Sequence, residues 1–173
     1  ELQIKPTEIE LKIKPTKIEP KSDEKKKFKV LCVGNSGTGK TATIKSYDKN
    51  EVVLETTPTI GADYIDHCFS TQYGEVHIKI FDTPGQEIFR SFLFGICSRG
   101  ADAIILFTDV NEYQEYKSLQ WVFDLVKKCG LEKVPLYLAA TKTDREWNST
   151  REEIELFARE HGMKFFVTSV YDL

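Results

Sequence analysis

Residues 34–41 read Gly34-Asn35-Ser36-Gly37-Thr38-Gly39-Lys40-Thr41, which fits the pattern GxxxxGK(S/T) and directly follows a compact apolar segment at 28–33. A loop between a strand and a helix can aim successive backbone N–H groups at a phosphate, and the positive helix end adds to the attraction. In such a loop Lys40 reaches the β- and γ-phosphates and the Thr41 hydroxyl ligates magnesium. The alternative is an ordinary glycine-rich turn, but chance produces this pattern only roughly once in two hundred chains of this size.

Length and charge set the outer limits. The chain has 173 residues and is 40% hydrophobic, which is enough for one domain with a two-sided core and too little for a second full domain. The formal charge is −3, and because residues 1–27 hold eight lysines against six acids, the remainder carries −5. Such a body has no general attraction to nucleic acid or to an anionic membrane.

Cysteine and histidine usage offers no obvious site. The four cysteines show no CxxC pairing and are expected to be small, reduced core residues of a cytoplasmic protein; they are Cys32, Cys68, Cys97 and Cys129. His67, His77 and His161 are expected on solvated faces. No signal peptide is recognisable, and the longest apolar run, 103–108, is too short to span a bilayer. Any membrane association is therefore expected to be peripheral, through partners.

Residues 1–27 differ in character from the rest and contain a repeat. ELQIKPTEIE at 1–10 is echoed by ELKIKPTKIE at 10–19, a period of nine residues. Apolar and polar residues alternate within each copy, while Pro6 and Pro15 interrupt any longer strand. Charge alone favours a disordered tail ending in a lysine-rich linker. We favour short extended pieces docked on an apolar surface, and we place the main domain at 28–173.

From residue 28 the chain alternates between strand and helix patterns. Strands are predicted at 28–33, 63–70, 76–82, 102–109, 134–140 and 164–168, and helices at 40–47, 87–95, 112–129 and 150–161. Thr150 and Glu153 form a capping-box pattern that marks the start of the last helix. Strands such as 103–107 are apolar on both faces, as in a sheet covered by helices on both sides. The prediction is an α/β fold with a mostly parallel six-stranded sheet and one antiparallel hairpin about Tyr73-Gly74.

Further motifs lie where predicted strands end, which is where open α/β sheets bind ligands. Asp82 ends the third strand and can hold magnesium through water, Gly85 can turn its N–H towards a γ-phosphate, and Gln86 can orient an attacking water. Thr59, on the loop after the first helix, can offer magnesium a second hydroxyl. Asp144 closes the fifth strand, where a carboxylate can accept both the exocyclic amine and the ring N–H of guanine.

With these motifs the chain resembles the Ras superfamily of small GTPases, and the Rab branch in particular, over about residues 28–171. The Rab-like stretches are 60–64 (IGADY), 86–90 (QEIFR), 98–101 (SRGA) and 106–110 (LFTDV), together with Ser36 in the phosphate loop. The spacing from Lys40 to Thr59 also matches the family without a gap. The fold this implies is the G domain of P-loop NTPases.

The resemblance implies a molecular switch that binds GTP or GDP with Mg²⁺, slowly hydrolyses GTP, and acts in regulation of the vesicle-trafficking type. Its catalytic residues would be Gln86, Lys40 and Gly85, and its metal ligands Thr41, Thr59 and Asp82. Exchange factors, activating proteins and effectors would read two switch segments, 52–62 and 83–95. Nucleotide-binding residues carried over from the family are Asn35, Ser36, Gly37, Thr38, Gly39, Lys40, Thr41, Ala42, Thr59, Gly85, Thr141, Lys142, Asp144, Ser169 and Val170.

Several positions depart from the family pattern. Val52 stands where an aromatic ring usually covers the guanine, which is expected to weaken retention by about ten- to a hundredfold. Thr141 replaces the usual asparagine and is expected to support the loop less well, and Pro84 stiffens the loop that carries Gly85. The Ser-Ala-Lys motif appears as 169–171, SVY, where the backbone N–H of Val170 can still serve. We therefore expect guanine specificity with fast exchange.

The end of the chain also departs from the family. The sequence stops at Leu173, before the closing helix of such domains, and shows no C-terminal cysteine for a prenyl anchor. An uncovered sheet face over 28–33, 134–140 and 164–168 is expected to associate with the N-terminal repeat, a second copy or a further domain, as in a tandem GTPase. Two other functions stay open: a nucleotide-binding interaction module with little or no turnover, and a nucleotide kinase or ATPase. Against the last stands the guanine-type motif 141–144.

Overall fold

A computed structural model of the chain describes residues 26–54, 57–59, 61–72 and 74–171, with the side chains at 89, 90, 92 and 93 excluded. Both interpretations of the nine-residue repeat concern residues outside these ranges. The strands are β1 (Lys26–Gly34), β2 (Asp63–Thr71), β3 (Gly74–Asp82), β4 (Ala103–Asp109), β5 (Leu136–Thr141) and β6 (Lys164–Val167). The helices are α1 (Lys40–Lys49), α2 (Glu87–Cys97), a 3-10 helix (Glu115–Leu119), α3 (Gln120–Lys128) and α4 (Arg151–Glu160).

The strands form one six-stranded sheet in the order β2-β3-β1-β4-β5-β6. All neighbouring pairs are parallel except β2 with β3, which form an antiparallel hairpin with Cys68 opposite His77. The predicted α/β class, the six strands and the hairpin are confirmed. Because β1 lies between β3 and β4, the loop after β1 opens at the edge where both neighbours end, which is a binding position for open α/β sheets.

Apolar side chains on both faces of the central strands explain the layered packing. Leu31 and Val33 of β1 pack into the main core beneath α2, α3 and α4, whereas Cys32 packs with Ile44 of α1 on the opposite face. α4 begins as predicted, because the Thr150 side chain accepts a hydrogen bond from the Glu153 N–H at 3.2 Å and the Glu153 carboxylate accepts one from the Thr150 N–H at 2.8 Å.

The single helix predicted over 112–129 is wrong. Gln114 has a left-handed backbone with φ of 53°, a 3-10 helix then runs over Glu115–Leu119, and α3 covers only Gln120–Lys128. The tighter turn brings the Glu115 carboxylate back to the end of β4, where it accepts a hydrogen bond from the Asp109 N–H at 3.2 Å. The apolar spacing predicted a helix, but it could not show that the chain forms a 3-10 turn here, in which Glu115 accepts a hydrogen bond from the end of β4.

Exposure corrects one expectation and agrees with another. Cys32 and Cys97 are buried, but Cys68 and Cys129 are exposed, so the four cysteines are not all core residues. Beyond α1, the sheet face carries Phe28 at 41% and Phe166 at 54% exposure, consistent with an apolar area there. Every described helix is too short or too polar to span a bilayer.

Candidate functional site

The phosphate loop connects β1 to α1 with a shape that glycine permits. A Cβ on Gly34 would lie 2.6 Å from the Phe107 carbonyl oxygen of β4, so only a glycine fits where the loop leaves the sheet. The Lys40 side chain, 5% exposed, extends back under the loop. Its ammonium donates to the carbonyl oxygens of Gly34 at 3.0 Å and Asn35 at 2.8 Å. The lysine therefore lies inside the predicted cradle.

Three oxygen-bearing side chains from separate segments meet beside this loop. The Thr41 hydroxyl donates to Asp82 Oδ2 at 2.5 Å, and the Thr59 hydroxyl does so at 3.3 Å. The two threonine oxygens are 3.0 Å apart. α1, the loop after it and the end of β3 thus bring together the three residues predicted as metal ligands.

Asp82 has the properties of a residue that holds a cation. It is only 4% exposed, and among the described residues its Oδ1 is the buried side-chain oxygen that lacks a hydrogen-bond partner. Burial raises the pKa of this carboxyl, while hydrogen bonds from Thr41 and Thr59 and the charge of Lys40 oppose the rise. A buried carboxylate with an unused oxygen beside two hydroxyls is an all-oxygen donor set, which suits Mg²⁺.

The segment after β3 lies directly on the phosphate loop. A Cβ on Gly85 would lie 2.4 Å from the Ser36 nitrogen and 2.5 Å from the Asn35 carbonyl carbon, so any larger residue would displace the loop. Thr83 and Gly85 line a cavity of about 300 Å³ together with Ser36, Gly37, Gly39, Lys40, Thr41, Ala42, Leu54, Thr57, Pro58, Thr59, Lys142 and Arg145. Gln86 begins α2 as its N-cap and does not line this cavity.

A buried network that the motifs did not reveal supports the loop from behind. The Glu115 carboxylate accepts hydrogen bonds from the Asn35 amide and the Thr108 hydroxyl. The Trp121 indole N–H donates to the Asn35 oxygen at 3.3 Å. Burial raises the pKa of Glu115, and the hydrogen bonds from Thr108 and Asn35 to its carboxylate oppose the rise. The signal in the sequence was weak, because Glu115 is one of two acids in the polar stretch 111–118, and it indicated nothing about the contact with Asn35.

A second, smaller cavity of about 90 Å³ adjoins the first and contains the predicted guanine-binding residues. Lys142 has a left-handed backbone with φ of 57°, and its ammonium lies 2.5 Å from Asp109 Oδ2. Asp144 accepts a hydrogen bond from the buried Ser169 hydroxyl at 2.6 Å. The lining residues are Gly39, Ala42, Thr43, Val53, Leu54, Thr141, Lys142, Asp144, Arg145, Val170 and Tyr171.

Two departures from the family pattern look different in the structure. The Thr141 hydroxyl lies 2.6 Å from the Thr38 carbonyl oxygen and 3.0 Å from that of Thr108, so it still connects the phosphate loop to the strand ends. Whether it supports the loop less well than asparagine stays a prediction. Val52 is 46% exposed and does not line the small cavity, whereas Val53 and Leu54 do. The residues of this segment that line the small cavity are therefore aliphatic and come one and two residues later.

A glycine-rich strand-to-helix loop, a buried lysine under it and an oxygen cluster at the next strand end define a P-loop nucleotide-binding protein. The Ras family model matches residues 29–172, and the chain belongs to the Ras family. The chain is also 29% identical over 150 residues to the Ras-related protein Rab-11A of Dictyostelium discoideum, covering 84% of this chain and 68% of that protein. It is thus a Rab-like small GTPase by sequence and fold, and a GTP-binding switch by family.

Proposed function

We propose that this chain is a guanine-nucleotide switch that binds GTP or GDP with Mg²⁺ and hydrolyses GTP slowly. The observation that carries the proposal is the meeting of Thr41, Thr59 and Asp82 at 2.5–3.3 Å beside the phosphate loop. Thr59 belongs to the first predicted switch segment. A contact between this segment and the strand end is what a γ-phosphate-dependent switch has to make and break.

Each residue has a distinct part in this proposal. The Lys40 ammonium, which is hydrogen-bonded to carbonyl oxygens of the loop, would donate to the β- and γ-phosphates. The backbone N–H groups of 35–42 would surround the phosphates. Thr41, Thr59 and Asp82 would hold Mg²⁺, which when bound neutralises charge that develops on the phosphates. Gly85, already against Ser36, would bring its N–H to the γ-phosphate.

Guanine selection would fall to Asp144, with Val170 and Lys142 beside the base. The hydrogen bond from Ser169 fixes the Asp144 carboxylate at the wall of the small cavity, where one acceptor can pair with two guanine donors. Adenine lacks that pair of donors, which argues against a nucleotide kinase or ATPase. The exposed flanking residues, Leu54 at 59% and Tyr171 at 58%, support the proposal of fast nucleotide exchange.

The slow rate is proposed from the position of Gln86. It would orient the attacking water, but its side chain does not line the phosphate cavity, and the buried Pro84 restrains the loop before it. The same observation favours a second candidate, a nucleotide-binding interaction module that scarcely turns over. The two candidates share the binding site and differ only in the chemical step.

Single-turnover cleavage of preloaded GTP separates the two candidates. We expect slow cleavage by the wild type and a further loss of at most about a hundredfold in Gln86→Leu, the lower end of what well-positioned groups contribute, because Gln86 lies outside the cavity. Gln120→Leu, a change of the first residue of α3, is the matched control and should leave the rate unchanged. If neither wild type nor Gln86→Leu cleaves GTP while both retain it, the interaction module is correct.

Partners are proposed to be exchange factors, activating proteins and effectors that read 52–62 and 83–95 in a trafficking-type pathway at membranes, from the cytoplasmic side. The β2–β3 hairpin connects these two segments. Where it meets them, Tyr64 and Phe81 stack with ring centroids 5.4 Å apart, and Tyr64, at 53% exposure, is accessible to a partner. The division into an extension at 1–27 and a G domain at 28–173 remains a proposal, as does association over the apolar sheet area.

A further inference from the structure

The far half of the β2–β3 hairpin brings together metal-ligating side chains that the nucleotide site does not use. Within the described residues, Cys68, Glu75 and His77 form a group whose ligand atoms all lie within 4.8 Å of one another. Strand alternation explains why they share a face, since Cys68 is directly opposite His77 and Glu75 is two residues before it. We propose that these three residues form a zinc-binding site.

The separation of the two softer donors suits a tetrahedral zinc ion. Zinc binds thiolate sulfur at about 2.3 Å and imidazole nitrogen at about 2.0–2.1 Å, so two such ligands in tetrahedral geometry are about 3.6 Å apart. Cys68 Sγ and His77 Nε2 are 3.6 Å apart. The register of the hairpin alone holds these atoms at that separation, because the two residues form a cross-strand pair. Glu75 supplies a third donor, since its carboxylate lies within 4.8 Å of both other ligand atoms.

A carboxylate on the other side of the imidazole completes the arrangement. His77 Nδ1 lies 3.8 Å from Asp66 Oδ1. The carboxylate favours the tautomer that carries its proton on Nδ1, and in that tautomer the Nε2 lone pair can bind the metal. Metal-ligating histidines usually have such a partner, which fixes the tautomer and the ring orientation. Asp66 is also 4.0 Å from the Lys79 ammonium, which holds it on this face of the hairpin.

The donor set discriminates between metals. Sulfur and nitrogen ligands select zinc over Mg²⁺, whereas the oxygens of Thr41, Thr59 and Asp82 suit Mg²⁺. Cys68 and Glu75 are exposed, so a metal would have an open path and would keep water in its remaining position. The thiol proton passes to solvent on binding. Bound zinc would link β2 to β3 near their turn, at the opposite end from Asp63 and Asp82.

The test uses tag-free, reduced protein loaded with GDP in excess Mg²⁺, so that the nucleotide site is saturated. Zinc is titrated against a coloured chelator, and Co²⁺ is used as a spectroscopic substitute because only a thiolate ligand gives a sulfur-to-cobalt charge-transfer band. We expect one zinc per chain and that band in the wild type. Cys68→Ser and His77→Gln should abolish both, and Asp66→Asn should weaken zinc binding by about ten- to a hundredfold.

Cys129→Ser is the matched control, since Cys129 is the other exposed cysteine, and it should bind zinc like the wild type. An unchanged far-UV circular dichroism spectrum and a cooperative thermal unfolding transition show that each variant is folded, which keeps this test separate from the proposed nucleotide function. Failure of the wild type to take zinc from the chelator overturns the proposal and leaves a thiol–imidazole hydrogen bond in its place. Undiminished binding in folded Cys68→Ser and His77→Gln overturns it equally.

Discussion

The two ends of the nucleotide site are built differently. At the phosphate end, Thr38, Lys40 and Asp82 are each at most 5% exposed, and hydrogen bonds join Lys40 to β1 and Thr38 to β5. At the base end, the cavity is smaller and its flanking side chains, Leu54 and Tyr171, are more than half exposed. The phosphate end is therefore organised in advance, whereas the base end offers exposed apolar contacts, Tyr171 among them, and one fixed carboxylate.

This difference indicates where affinity and exchange are controlled. Buried charge-assisted hydrogen bonds are strong, and a preorganised cradle loses little entropy when it binds. Exposed aliphatic contacts contribute less and open easily. We expect the phosphate end to determine whether nucleotide binds and the base end to determine how fast it leaves.

The largest effect is expected from Lys40→Ala at the phosphate end. Loss of two charge-assisted hydrogen bonds to the β- and γ-phosphates, at about 1.5–3 kcal/mol each, should lower the affinity for GTP by about a hundred- to ten-thousandfold. Titration with a fluorescent guanine nucleotide measures it. Lys45→Ala, on the exposed side of the same helix, is the control and should bind normally. Equal affinities in the two variants would show that the buried lysine does not contact phosphate.

An intermediate effect is expected behind the phosphate loop, from Glu115→Gln. Burial raises the pKa of Glu115 above its ordinary 4.5, so its folded form binds more protons than its unfolded form just above that pH. The wild type should therefore lose stability relative to the variant as the pH rises through the raised pKa.

Urea unfolding of the nucleotide-free proteins from pH 4.5 to 7 measures this difference. Glu112→Gln, in the exposed turn before the 3-10 helix, serves as the comparison and should follow the wild type at every pH. A wild-type stability that rises relative to that of Glu115→Gln as the pH increases would contradict the account, since it would mean that ionised Glu115 is favoured in the folded protein.

The smallest effect is expected at the base end. Leu54→Ala should raise the GDP dissociation rate about fivefold, because partial contact of a leucine with the base contributes about 1 kcal/mol. Val52→Ala should leave the rate unchanged, because Val52 does not line the small cavity. Stopped-flow displacement of a fluorescent GDP measures both rates. The reverse ranking would restore position 52 as the cover of the base.

The phosphate end was largely predictable because its chemistry is local in sequence. The loop, its lysine and Thr41 are consecutive in sequence, and Asp82 is the last residue of a strand whose position the apolar pattern predicted. Glu115 was not predictable, since its partner Asn35 lies 80 residues away and only the 3-10 turn brings them together. Helical spacing over 112–129 concealed that turn.

The base end and the hairpin show what periodicity leaves open. By its distance from Lys40, Val52 was the residue expected at the guanine, but Val53 and Leu54, and not Val52, line the small cavity. Likewise, Cys68 and His77 looked like unrelated core and solvent positions in an amphipathic strand pair. Only the pairing register put them opposite each other, and register depends on the length of the turn.

Identification of the nucleotide that copurifies with the chain tests the central claim most directly. We expect GDP or GTP, retained in the presence of Mg²⁺. Release should be faster when the metal is chelated, because Thr41, Thr59 and Asp82 hold the nucleotide phosphates through the metal. Adenine nucleotide in that position, or guanine nucleotide whose release is unaffected by chelation, would contradict it.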